Sequence, residues 1–232
     1  MRRCVLVAVV LAIGLVSMVC GSNVQTSRSP EVEGKVLSSA PASPDPDSRY
    51  LIYLHGAIIE TQGVRPTHPR FGVYEYEEIL STFADQGFVV ISEARPSGTE
   101  VAVYAEKVAD QVRSLIDAGV PAENVTVVGF SKGGMIAILT SSVLADDRVN
   151  FVFIAACGPW IESMPELAPH GRLLAVREAT DEMIGSCEGL LARAEGEGER
   201  RETVVEIGGG HGAFYRPRAE WVDPVVAWAK GS

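Results

Sequence analysis

"VVGFSKGGMI" occupies residues 127–136: an apolar run, then Gly129-Phe130-Ser131-Lys132-Gly133-Gly134, then apolar residues again. The run "NVTVVGF" (124–130) reads as a buried strand, and "KGGMIAILTSSVLA" (132–145) as a mostly apolar, buried helix. Ser131 sits at the reversal between them, where backbone strain of order 1–3 kcal/mol is expected. Glycines on either side remove side chains that would collide as strand and helix approach. A tight turn with no other purpose needs glycine at the strained position itself. Serine there gives no structural return, so the turn is read as holding a nucleophile outward.

Working outward, strands and helices alternate. "YLIYLHG" (50–56), "FVVISEARP" (88–96), "VNFVFIAACG" (149–158), "GRLLAVRE" (171–178) and "RETVVEIGGG" (201–210) read as strands. Helices are expected over 75–87, 99–119, 184–195 and 218–231, the last with Pro224 near its middle. Val/Ile/Leu-rich strands separated by helices predict an α/β fold. Its sheet is doubly wound and mostly parallel, in three layers, with helices on both faces. Ligands bind such sheets at the carboxyl ends of the strands, so the residues after each strand were weighed for chemistry.

A serine hydroxyl is a weak nucleophile and needs a base. His211 follows the last strand in "GGGHGAF", where glycines let the loop carry an imidazole over the sheet. His55 follows a strand in "HG", a context suited to another role. His68 lies in a long loop, and His170 precedes a strand at the wrong end of the sheet. The base in turn needs a carboxylate to fix its tautomer. "LLAVREATDEMIG" offers Glu178, Asp181 and Glu182; Asp181, a few residues beyond the strand, is placed best to reach back.

Ser131, then Asp181, then His211 resembles the chain order of the α/β-hydrolase family. The sequence is similar to its small-esterase and dienelactone-hydrolase-like branches over about residues 50–230. "GFSKGG" resembles the nucleophile elbow, "ATDEMIG" the acid loop and "GGGHGAF" the histidine loop. The resemblance implies acyl transfer to Ser131, then hydrolysis by water activated through His211. It implies a small-molecule ester as substrate and no cofactor. It also implies an oxyanion hole made by the N–H of Lys132 and one from the loop after "YLHG", Ala57 or else Gly56. "HGA" departs from the "HGGG" of many esterases. The Lys132 side chain is read as exposed and given no chemistry.

Only "PWIESMPELAPHG" separates Gly158 from Arg172, too short for a separate lid domain, so an open site is expected. Residues 57–74 form a long insertion whose Glu60, Arg65, His68 and Arg70 are candidates to bind a polar substrate, or are simply solvated. Trp160 and Met164 are candidates for an apolar wall, or for ordinary packing. Glu93 and Arg95, at a strand end, are expected to pair with each other or with the insertion.

The N-terminus reads separately. Arg2 and Arg3, then "VLVAVVLAIGLVSMV" (5–19) and small residues at Gly21 and Ser22, make residues 1–21 a signal-peptide pattern. The run falls short of the ~20 residues of a membrane span. An uncleaved anchor and a lipoprotein at Cys20 are the other readings. Residues 22–48, rich in Ser and Pro, read as a flexible linker in which "EVEGKVL" (31–37) is a candidate edge strand; residues 49–232 form the folded domain. The formal charge of −10 becomes −12 once Arg2 and Arg3 leave with the leader, which argues against nucleic acid as partner. Cys157 and Cys187 then remain, and in an exported protein they invite a disulfide; separate buried thiols are the alternative. No Cys or His pair has metal-ligand spacing. The chain thus reads as an exported serine hydrolase, with a carboxylesterase first. A peptidase or amidase using the same residues, or a non-catalytic binding protein, are the alternatives.

Overall fold

The structure is a computed structural model that describes residues 35–231. The leader at 1–21, Cys20 and the linker as far as residue 34 lie outside the described residues.

The chain runs through strand β1 (Lys35–Leu37), strand β2 (Arg49–Leu54), helix α1 (Ala57–Gln62) and the short strands β3 (Thr67–His68) and β4 (Gly72–Val73). Helix α2 (Tyr76–Asp85), strand β5 (Phe88–Ile91), helix α3 (Val101–Asp117), strand β6 (Val125–Phe130) and helix α4 (Lys132–Leu144) follow. Strand β7 (Asn150–Ile154), strand β8 (Arg172–Glu178), helix α5 (Glu188–Leu191), strand β9 (Arg200–Val205) and helix α6 (Ala219–Lys230) complete it.

One seven-stranded sheet has the order β1-β5-β2-β6-β7-β8-β9, and every neighbouring pair is parallel. Successive side chains on a strand point to opposite faces. Accordingly Tyr50, Ile52 and Leu54 pack with Ala105, Val108 and Val112 of α3 and Ile136 of α4. Leu51 and Tyr53 join Ile79 and Phe83 of α2 and Trp221 and Val225 of α6 on the other face. Both faces are therefore covered, which gives the three layers of a doubly wound fold. The chain leaves β2 for β5 on one side and later enters β6 on the other. The crevice expected in such sheets opens where that order reverses, between β2 and β6.

The apolar stretch 132–145 becomes α4, and it is buried rather than one-sided. Its two buried hydroxyls bond back along the helix, Thr140 Oγ1 to Ile136 O (2.8 Å) and Ser141 Oγ to Ile138 O (3.0 Å), so the interior gains no orphaned donors. Helix α6 continues through Pro224, with Trp221, Val225 and Trp228 buried on its inner face.

Three segments differ from the sequence reading. Strand β1 lies in the stretch read as linker, within its candidate edge strand "EVEGKVL", and makes that part a sheet edge: Val36 pairs with Val90, and Ser92 N–H donates to Leu37 O (2.8 Å). Residues 57–74 are not a plain loop but α1 followed by the β3–β4 hairpin. The helix expected over 184–195 shrinks to α5. There Gly185 N–H is taken by Cys157 O (2.8 Å), and a disulfide joins Cys157 to Cys187, so the chain before Glu188 is held extended against the end of β7. Among the described residues there is no separate lid domain: residues 155–171 form a short connection with a turn of 3-10 helix at Pro159–Ser163.

The disulfide closes a loop with a sequence separation of 30 residues. Replacing both cysteines by serine should lower the unfolding free energy by about 3–4 kcal/mol for a loop of this length. The check is a urea titration of oxidised wild type and double variant, in which the midpoint should fall; equal midpoints would show that the crosslink contributes no net stability.

Candidate active site

Ser131 adopts φ 54° and ψ −119°, a left-handed conformation that non-glycine residues rarely take. The surrounding backbone explains why the strain persists. A Cβ on Gly133 would lie 1.9 Å from Leu54 O, one on Gly129 2.2 Å from Gly133 O, and one on Gly134 2.4 Å from Ala156 Cβ. Ser131 N–H donates to Ile154 O (2.9 Å), and Ser131 O accepts from Met135 N–H (3.0 Å), the first bond of α4. Sheet and helix together fix the serine on both sides, and its hydroxyl emerges at the carboxyl end of β6.

His211 lies in a 3-10 segment, Gly210–Tyr215, directly after β9. Its Nε2 is 2.9 Å from Ser131 Oγ and its Nδ1 is 2.8 Å from Asp181 Oδ2. Three side chains far apart in sequence thus form one hydrogen-bonded line. Phe130 flanks the imidazole (5.1 Å between centroids), and Asp181's side chain is almost wholly buried. The carboxylate also accepts from Met183 N–H at Oδ1 (2.9 Å), which leaves Oδ2 aimed at the ring.

Glu178, weighed in the sequence as a rival to Asp181, does something else. Buried at the end of β8, it accepts from Thr180 N–H (2.7 Å), Thr180 Oγ1 (2.6 Å) and Gly208 N–H (3.0 Å). One carboxylate therefore pins the acid loop to the glycine loop that carries His211. Burial raises its pKa, but these hydrogen bonds outweigh burial and hold it below the usual glutamate range. Glu182 is exposed and reaches only Arg70 (3.8 Å).

The loop after β2 lies beside the serine: a Cβ on Gly56 would be 3.7 Å from Ser131 Cβ. Gly56 N–H is turned toward Tyr74 Oη (3.4 Å), whereas the N–H groups of Ala57 and Lys132 have no protein acceptor among the described residues. Beneath this loop runs an ion-pair network. Glu60 accepts from Lys132 Nζ (2.6 Å) and from Arg95 Nε (3.0 Å), and Arg95 Nη2 donates to His55 O. The Lys132 side chain, read as exposed, is therefore engaged and mostly covered. Of the alternatives for Arg95, the structure pairs it with the insertion; Glu93 instead meets Lys107 (2.5 Å).

His55 is buried and held by Gly56 O at Nδ1 (2.8 Å) and by Arg95 N–H at Nε2 (2.8 Å). The second contact makes Nε2 an acceptor, so Nδ1 carries the proton of a neutral ring. Burial first, then the Arg95 charge, push its pKa from 6.5 down to about 3, against backbone hydrogen bonds that favour the charged form.

The remaining candidates are scattered. Arg65 pairs with Glu78 on α2 at the exposed surface. His68 stacks on Phe71 (4.5 Å), and Phe71 packs so tightly on the histidine loop that a Cβ on Gly212 would fall 2.3 Å from Phe71 Cβ. The insertion thus buttresses His211. Trp160 Nε1 donates to Ala156 O (2.9 Å), and its ring packs against the core. Met164 is partly exposed. A cleft of about 620 Å³ does open beside the disulfide, between the β7–β8 connection and the acid loop. Ile161, Met183, Ile184, Leu190, Glu162 and Arg193 line it, and Trp160 and Met164 do not. Loop composition in the sequence gave no sign of that cleft, which depends on how two loops face each other.

The sequence profile of a family described as phospholipase/carboxylesterase matches residues 89–191, a span that holds Ser131 and Asp181 and ends before His211. No curated protein sequence matches the chain. Similar solved structures include a predicted CIB-like hydrolase from Thermoplasma acidophilum, with a TM-score of 0.54, 17% identity, and 82% of this chain and 89% of that chain covered. SOBER1 from Arabidopsis thaliana gives 0.53 and 15%, with 79% and 98% covered. The esterase Pf2001 from Pyrococcus furiosus gives 0.54 and 16%, with 81% and 84% covered. At these identities the structures attest the α/β-hydrolase fold.

The state of His55 has a measurable consequence. Its folded pKa lies below its unfolded value, so the unfolded chain binds the extra proton first as pH falls. Stability from this group is present above about pH 6.5 and is lost as pH drops toward about 3. Melting temperature should decline across that window in wild type and decline less steeply in His55→Asn; identical slopes would show that His55 does not titrate this way.

Proposed function

We propose that this chain, which has the α/β-hydrolase fold, cleaves small or medium carboxylic esters through an acyl-enzyme on Ser131. The observation that carries the reading is the unbroken line from Ser131 Oγ through His211 to Asp181, at 2.9 and 2.8 Å, built on a strained elbow. In the proposed cycle Ser131 Oγ attacks the ester carbonyl as His211 Nε2 takes its proton. Asp181 accepts from Nδ1–H, which fixes the tautomer and stabilises the imidazolium. The carbonyl oxygen becomes an oxyanion that takes hydrogen bonds from the N–H groups of Lys132 and Ala57, both unclaimed by protein acceptors. Gly56 is the weaker candidate because its N–H already faces Tyr74. Collapse breaks the bond to the alcohol, which leaves with the proton from His211. Water then gives its proton to His211 and attacks the acyl group, and carboxylic acid and free Ser131 result.

The absence of a lid domain leaves the serine open to solvent-borne esters. The cleft beside the disulfide is lined partly by the acid loop, at Glu182 to Ser186. Its mixed lining of Ile161, Met183 and Leu190 with Glu162 and Arg193 suits a substrate with an apolar body and a polar end. The protein is further proposed to be exported. The leader pattern at 1–21 supports this, and the Cys157–Cys187 disulfide is consistent with an oxidising compartment. Among the described residues no helix is long and apolar enough to cross a membrane.

A fluorophosphonate probe should label wild type at Ser131 and leave Ser131→Ala unlabelled. On nitrophenyl esters, Ser131→Ala and His211→Ala should each lower kcat by roughly 10⁵–10⁶, and Asp181→Asn by about 10⁴. A folded wild type inert to both probe and esters would favour the binding-protein alternative. Inert esters together with cleaved peptide anilides would point instead to a peptidase.

A further inference from the structure

We propose that Glu60 is a positioning residue that holds the two halves of the oxyanion hole in register. The inference rests on the reading of Ser131 as an acyl-transfer nucleophile. The two expected donors come from different parts of the chain: Ala57 starts α1 after β2, and Lys132 starts α4 after β6. No sequence-local contact fixes their separation. Glu60 stands three residues after Ala57, on the same face of α1. Its carboxylate accepts from Lys132 Nζ at 2.6 Å through Oε2 and from Arg95 Nε at 3.0 Å through Oε1.

Arg95 closes the circuit. Its Nη2 donates to His55 O, its backbone N–H donates to His55 Nε2 (2.8 Å), and His55 Nδ1–H donates to Gly56 O (2.8 Å). His55 and Gly56, the residues leading into Ala57, are therefore tied through Arg95 to the Glu60 carboxylate, and through it to Lys132. The site is secluded: side-chain exposure is 4% at Glu60, 0% at Arg95 and 21% at Lys132.

Stability alone is a poor explanation for such a cluster. Burying ions costs desolvation that their attraction only partly offsets, and apolar replacements of equal size are often as stable. What a buried carboxylate between two cations does supply is fixed geometry. Oxyanion stabilisation depends on donors held within about 0.5 Å of their productive positions. The cluster also carries one net positive charge behind the donors, the sign that favours a developing oxyanion. His55 adds no charge to it, being neutral.

The test uses the full chain, purified oxidised, with nitrophenyl esters for kcat and KM and a trifluoromethyl ketone as oxyanion-forming inhibitor. Glu60→Gln and Lys132→Met should each lower kcat about tenfold, short of the 10²–10³ for outright loss of a donor. KM should stay within about threefold. Ketone affinity should fall in proportion to kcat, and Lys132→Arg, which keeps the charge, should recover most of both. A merely structural role would lower melting temperature while leaving kcat and ketone binding of the folded fraction intact, and that result overturns the proposal. So does a Lys132→Arg variant as impaired as Lys132→Met. If Glu60→Gln does not fold, Lys132→Met decides alone, and unchanged kcat in it is also fatal. A wild type that neither labels with fluorophosphonate nor cleaves esters defeats the hydrolase reading itself, whereas an active wild type with unaffected variants defeats only the role of Glu60.

Discussion

The start of α4 passes the end of β2 with no room for a side chain between them. A Cβ on Gly133 would sit 1.9 Å from Leu54 O and 2.7 Å from His55 O. Backbone meets backbone there, and nothing can yield without moving a central strand of the sheet. That crossing forces the reversal at Ser131 into a single residue at φ 54°. It also brings Gly56 beside the serine. Strain in one residue is sustained because β2, β6 and β7 all hold the turn, the last through Ile154 O.

The opposite side of the site is built differently. The acid and histidine loops meet no comparable steric limit, so hydrogen bonds and a covalent link restrain them. Glu178 joins Thr180 to Gly208, the disulfide anchors Cys187 at the end of β7, and Phe71 closes over Gly212. Loops restrained this way depend on conditions as the elbow does not. Protonating Glu178 or reducing the disulfide loosens them, and neither touches the crossing at Gly133.

The sequence announced the elbow because sterics there leave only glycine, and glycine can be read directly. It announced the sheet because Val/Ile/Leu runs bounded by turns fit a strand buried on both faces. His211 and Asp181 stood out as ionisable residues just beyond strand ends in a topology that converges there. What it did not announce were partnerships. Nothing local separates Glu60 from Arg65, yet one is locked between Arg95 and Lys132 and the other pairs with Glu78 at the surface. Glu178 looked like a rival acid because strand-end position marks proximity and not orientation. Likewise "IGSCEGLLARAE" (184–195) has helical spacing, but the tie from Cys157 to Cys187 and Gly185 leaves only Glu188–Leu191 helical. Pairings of this kind arise between segments brought together by the fold, and periodicity carries no record of them.

The positive charges nearest Ser131 are gathered on one carboxylate. Ser131 stands between Phe130 and Lys132 in the chain, and the Lys132 ammonium is taken up by Glu60 (2.6 Å). Both cations, Lys132 and Arg95, are held beneath the loop after β2, bound to Glu60. Burying Arg95 requires its partner Glu60, and a neutral His55 spares the cluster a further positive charge that it would have to accommodate. Burial of the ring lowers the His55 pKa most, and the charges of Arg95 and, more weakly, Lys132 add to that.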